Sequence, residues 1–200
     1  AGILLTLDGL AFVMSRIGLL DIFQAFFLVA GVSAVAADRD WFRHRLADHL
    51  RTIGNPHLNG DFGPALGWRP WRLVAGIMFG LACGTKWNSM FVLATMGIVS
   101  VIWDWSARRL AGAGTKAWWS FLRDGVPAFV YLVVVALLTY LATWAKWLVT
   151  YPHMVFGKSW AGPAPSPGLS KVVGKPLAAL WEYHRQIYDF HTGSYMMTQT

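Results

Sequence analysis

The chain has 200 residues, of which 56% are hydrophobic and only 14% charged, whereas globular chains carry about 25% charged residues. This composition excludes a disordered chain, and the single cysteine excludes a disulfide-stapled miniprotein. The net charge of +7 suits either nucleic acid or a membrane surface, and the uncharged apolar runs decide for the membrane.

The opening AGILLTLDGLAFVM has no basic leader and no small-residue cleavage site, so it does not read as a signal peptide. Together with residues up to 15 it reads as a partial span, and the chain as an internal piece of a larger membrane protein. Asp8, Arg16 and Asp21 follow one another closely in LDGLAFVMSRIGLLDIF. An ionisable group at a bilayer is expensive unless it finds a partner or water. Two readings stay open for this trio. One is a structural ion pair of Arg16 with an aspartate. The other is an arginine held by carboxylates and presented to an anionic headgroup such as a phosphate.

The uncharged run 22–37 predicts a span over residues 20–37. The next stretch, between Asp38 and Arg72, holds Arg39, Arg43, Arg45, Arg51, Arg69 and Arg72 and reads as a basic loop. Its amphipathic part RDWFRHRLADHLR resembles a nucleic-acid arm, but between spans it is more simply a loop on anionic lipid.

The segment 73–103 is apolar except for Lys86. As one helix it would reach roughly 46 Å, too long for one upright crossing. A second basic loop follows, with Arg108, Arg109, Lys116 and Arg123. Basic residues in short loops mark the cytoplasmic side, so the segment is expected to enter and return as two short helices, 73–85 and 88–103, turning near Lys86. Lys86 then either meets a phosphate as a point charge or snorkels to the interface. Cys83 reads as a small buried hydrophobe. The run 125–145, at roughly 31 Å, predicts a span over 126–147 with Pro127 harmless near its start.

Residues 151–200 are expected to face outward. GPAPSPG (162–168) reads as irregular, and Pro176 to His191 as an interfacial helix ending before Gly193. It carries Glu182, the sole glutamate, with His184 and His191. The two histidines lie about 10 Å apart by helical rise, too far for a metal pair without a third element, so no metal site is assigned. P-loop, GxGxxG, HExxH and CxxC patterns are absent from the sequence. The fold class expected is all-α, a polytopic set of membrane helices over residues 1–150.

Three segments, in order, resemble the protein O-mannosyltransferases, in their actinobacterial branch: LDGLAFVMSRIGLLDIFQAFF, WRLVAGIMFGLACGTKWNSMF and WEYHRQIYDFHTG. The resemblance implies a partial C-type glycosyltransferase superfold in a bacterial plasma membrane, active on the extracytoplasmic side. It implies inverting transfer of mannose from polyprenyl-phosphate-mannose to Ser or Thr hydroxyls of exported polypeptides, with the secretion machinery as a neighbour and no nucleic acid. The family's general base sits on a first outer loop expected upstream of residue 1, so no carboxylate here takes that role. Arg16 and Lys86 would neutralise the donor phosphate, Asp8 and Asp21 would orient Arg16 or touch the sugar, and Glu182, His184 and His191 would line the outer mouth. No cofactor is assigned and divalent-metal dependence is left open. Another C-type transferase acting on lipid or glycan, or a secondary transporter, would share much of this pattern.

Overall fold

A computed structural model describes residues 20–151 and 164–192, and the chain divides into two compact units, 1–143 and 144–200. Among the described residues the secondary structure is entirely helical.

The first unit opens with α1 (Asp21–Thr52). Asp21 in its first turn complements the positive end of the helix dipole. The helix does not stop with the apolar run at Ala37 but continues through the stretch expected to be a basic loop. The physical reason is that this stretch is amphipathic and meets no glycine until Gly54, which takes φ +64 just past the end. Its Phe42 and Leu46 are buried against Leu58, Ala107, Ala113 and Ala117. The whole helix is roughly 48 Å long, well beyond a hydrocarbon core of about 30 Å.

Helix α2 (Pro70–Thr85) starts on a proline, which needs no N–H there. It stops where Lys86 turns extended, at φ −145 and ψ 124. After Trp87 and Asn88 the chain restarts as α3 (Ser89–Leu110). A 3-10 turn (Gly114–Trp119) and the short α4 (Ser120–Arg123) lead to α5 (Gly125–Phe129), a π turn (Val130–Val134) and α6 (Val135–Thr143). The 73–103 segment is therefore two helices, antiparallel to each other. The connections 53–69 and 111–124 meet at one end of the unit, where Leu58 N–H donates to Ala111 O (2.8 Å) and Gly60 N–H to Gly112 O (2.9 Å).

α2 is the centre of this unit, packed against α1 on one side and α6 on the other. Ala75, Phe79 and Ala82 are fully buried, Ala75 and Phe79 in a core with Ala34, Val35 and Leu132. Close approach to the π turn and α6 depends on glycine. A Cβ on Gly76 would stand 2.0 Å from the Tyr131 carbonyl oxygen, and one on Gly80 2.6 Å from that of Ala136. Small residues four apart let two membrane helices bring their backbones together.

Among the described residues, three helices are long and apolar enough to cross a membrane: Asp21–Thr52, Ser89–Leu110 and Gly114–Thr143. Their outer faces leave Phe26, Val29, Phe91, Ile98, Phe129 and Leu138 exposed. Apolar surface bare on this scale suits lipid rather than water.

The second unit holds α7 (Ala145–Thr150), α8 (Pro167–Val173) and α9 (Lys175–Thr192). Within it Ala178, Ala179 and Leu180 are buried. The Trp144 ring packs edge-on against Tyr183 (5.5 Å) and His184 (6.0 Å), and the Trp147 and Tyr151 rings pack tilted at 4.9 Å.

Candidate functional site

Polar side chains collect at the two ends of the first unit, and the two collections differ in kind. At one end, the start of α1 meets the end of α2 and the start of α3. The Lys86 ammonium donates to Asp21 Oδ1, and each side chain is 42% exposed. One turn into α1, Gln24 Nε2 donates to Asn88 Oδ1 (2.7 Å) and to Ser89 Oγ (2.8 Å). Ser89 Oγ donates in turn to Ala82 O (3.2 Å), so three helix ends are tied together. An ammonium has three donors and one is taken by Asp21, which leaves a half-exposed cation with capacity for an anion. The carboxylate holds the lysine in place, where the extended backbone at Lys86 ends α2.

Sequence alone proposed Asp21 and Lys86 separately, with Asp21 near Arg16; the structure brings these two residues together. It adds Gln24, Asn88 and Ser89, which no sequence pattern singled out. Asp8 and Arg16 lie outside the described residues. Glu182 and His184 belong to the second unit. Glu182 sits 3.8 Å from Arg185 Nη1, and His184 Nδ1 lies 2.7 Å from Leu180 O. His191 falls on the last turn of α9, and its side chain lies outside the described residues. Among the described residues, no three His, Cys, Asp or Glu side chains gather as metal ligands.

The opposite end is closed. Arg69 donates through Nε and Nη2 to both oxygens of Asp38 (2.9 and 2.6 Å), and through Nη1 and Nη2 to Asp104 (3.2 and 3.1 Å). Arg72 bridges the same two aspartates at 2.9 Å each. All four side chains are at most 2% exposed. Burial works against the charge on Arg69, but its bond to Asp38 and the charges of Asp104 and Asp38 outweigh that and raise its pKa. Next to it Arg108 is gripped by Asp124 (2.6 and 2.8 Å) and donates to Phe62 O (2.8 Å) and Pro64 O (3.1 Å). Charges this well matched fasten α1, α2, α3 and the connections between them. The signal for them was present: Asp38, Arg72, Asp104 and Asp124 each end an apolar run, and Asp104 and Arg108 lie one helical turn apart.

An all-α bundle with bare apolar flanks, a closed ion network at one end and an open lysine at the other is a segment of a polytopic membrane protein. Over 96% of its length it is homologous to actinobacterial proteins named polyprenol-phosphate-mannose–protein mannosyltransferase. It is 32% identical over 191 residues to the one from Corynebacterium glutamicum and 34% over 195 residues to the one from Mycobacterium tuberculosis. It is 32% identical over 193 residues to the one from Mycolicibacterium smegmatis. The chain spans 36% of the length of each of these relatives. No family model matches the chain. No solved structure matches it.

Proposed function

We propose that this chain is the donor-handling part of a membrane mannosyltransferase that moves mannose from polyprenyl-phosphate-mannose to Ser or Thr hydroxyls of exported polypeptides. The observation that carries the reading is the half-exposed Lys86 on Asp21, at the end of the bundle away from the two basic connections. The names of the relatives supply the donor and the kind of acceptor, protein.

In this reading the basic connections face the cytoplasm, as the bias of short loops favours. The α2–α3 pair dips in and returns, and Lys86 faces outward at headgroup depth. The acceptor hydroxyl oxygen bonds to the sugar carbon with inversion while the bond from that carbon to the phosphate oxygen breaks. The hydroxyl proton goes to a general-base carboxylate outside the residues named here. Polyprenyl phosphate leaves with the electron pair, and its growing negative charge calls for a fixed cation. Lys86 is that cation, joined by Arg16, with Asp21 and Asp8 orienting the two cations or meeting the sugar. Glu182, His184 and His191 line the outer mouth. The bundle is then part of a C-type superfold in a bacterial plasma membrane.

The test uses the intact longer protein in membranes, with radiolabelled polyprenyl-phosphate-mannose and a Ser/Thr-rich peptide. Label on the peptide supports the reading. Label on a lipid or glycan instead replaces it with a sibling transferase, and no transfer to any acceptor returns a transporter to consideration.

A further inference from the structure

The closed end of the first unit carries an open cationic pocket beside its ion network. Between α3 and α5, the 3-10 turn and α4 lie across this end and interleave cations with large apolar side chains: Lys116, Trp118, Trp119, Leu122 and Arg123. The inward residues Ala117 and Ser120 are buried, and Ser120 Oγ donates to Ala117 O at 2.6 Å, which holds the turn. The outward ones are bare, Trp118 and Trp119 at 63% and Leu122 at 61% exposure. Trp119 and Leu122 border an open pocket of about 540 Å³ that is also lined by Phe62, Lys116 and Arg123.

Charge is unbalanced here, unlike in the adjoining network. Asp124, next to Arg123 in the chain, is engaged with Arg108. Asp61 accepts from the Phe62 N–H at 2.7 Å. Among the described residues neither Lys116 nor Arg123 forms a salt bridge. Arg123 is nevertheless oriented, its guanidinium 4.5 Å from the centre of the Phe62 ring. Phe62 is itself anchored through its carbonyl by Arg108.

We infer that this pocket seats the phosphate headgroup of an anionic phospholipid from the leaflet at this end. Lys116 and Arg123 meet the phosphate, Trp119 lies at the level of the glycerol, and Leu122 meets the first carbons of the acyl chains. Two cations without a salt bridge have capacity for an anion. Bare indoles and leucine around them favour a lipid over a soluble phosphate, because Trp gathers where headgroups meet hydrocarbon. The pocket also lies at the ends of two candidate spans, which is headgroup depth. The assignment rests on the membrane placement of these helices and not on sugar transfer.

The test measures binding of a fluorescent phosphatidylglycerol to the full-length protein in phosphatidylcholine nanodiscs. Removing a basic residue near an anionic membrane surface weakens binding roughly fivefold. Lys116→Ala and Arg123→Ala should each do so, and the double variant should lose about thirtyfold. The charge-keeping pair Lys116→Arg and Arg123→Lys should stay within about twofold of wild type on the same argument. Both cations are exposed, so thermal unfolding in detergent should not change. Wild-type affinity in the double variant overturns the inference. Displacement of the labelled lipid by millimolar inorganic phosphate overturns it as well, because the pocket would then be a small-anion site.

Discussion

Replacing Asp104 with asparagine tests whether the buried ion network holds the first unit together. Asp104 accepts from Arg69 at 3.1 and 3.2 Å and from Arg72 at 2.9 Å, and it is 1% exposed. Asp104→Asn keeps the shape but leaves two buried guanidiniums facing the single carboxylate of Asp38. Removing one partner of a buried pair costs about 3–5 kcal/mol, because a charge is left without compensation. Spread over a unit of this size, that lowers an apparent Tm by roughly 10 °C. The assay is thermal unfolding of the purified full-length protein in detergent, with Asp48→Asn alongside it. Asp48 pairs with Arg51 in the open, with side chains 60% and 80% exposed, and its loss should be silent. A double change of Arg72 and Asp104 to leucine should harm stability less than the sum of the single changes, since a matched pair leaves together. Equal unfolding of Asp104→Asn and Asp48→Asn would refute the reasoning.

Two glycines offer the same substitution with opposite outcomes. Gly76→Ala drives a methyl into the Tyr131 carbonyl and should destabilise by about 1–3 kcal/mol. Gly97→Ala meets nothing within 4 Å on α3 and should be neutral or stabilising by up to about 1 kcal/mol; thermal unfolding of the two variants side by side is the check. Gln24→Leu strips Asn88 Oδ1 and Ser89 Oγ of their donor and should cost about 1 kcal/mol, seen as easier proteolysis at Lys86 in the α2–α3 turn. Glu182→Gln removes only a loose contact to Arg185, so unfolding should be unchanged and any effect should appear in peptide KM.

Much of the architecture was legible because apolar runs between charges give helix positions directly. The break at Lys86 was visible as the one charge in a long apolar segment, and the amphipathic helix at 175–192 by its periodicity. Where α1 ends was not legible: charge marks where hydrocarbon stops, and a helix can continue into water if one face, here Phe42 and Leu46, finds a core. Partners distant in sequence stayed hidden for a related reason. Asp21 meets Lys86, and Asp38 meets Arg69 and Arg72, only after α1 and α2 lie antiparallel. What sets that pairing is the burial of Phe79 of α2 against Gly31, Ala34 and Val35 of α1, and it has no local signature stronger than a single glycine. Residues that bridge helices, such as Gln24 and Asn88, carry no signal of their own in one sequence.

The most direct measurement compares Lys86→Ala, Lys86→Arg and wild type in the full-length protein, for transfer of mannose from polyprenyl-phosphate-mannose to peptide. If Lys86 meets the departing phosphate, alanine should lower the rate about a hundredfold. Arginine, which keeps the charge on Asp21, should recover a large part of it with unfolding temperature unchanged. Wild-type transfer in Lys86→Ala would contradict the account.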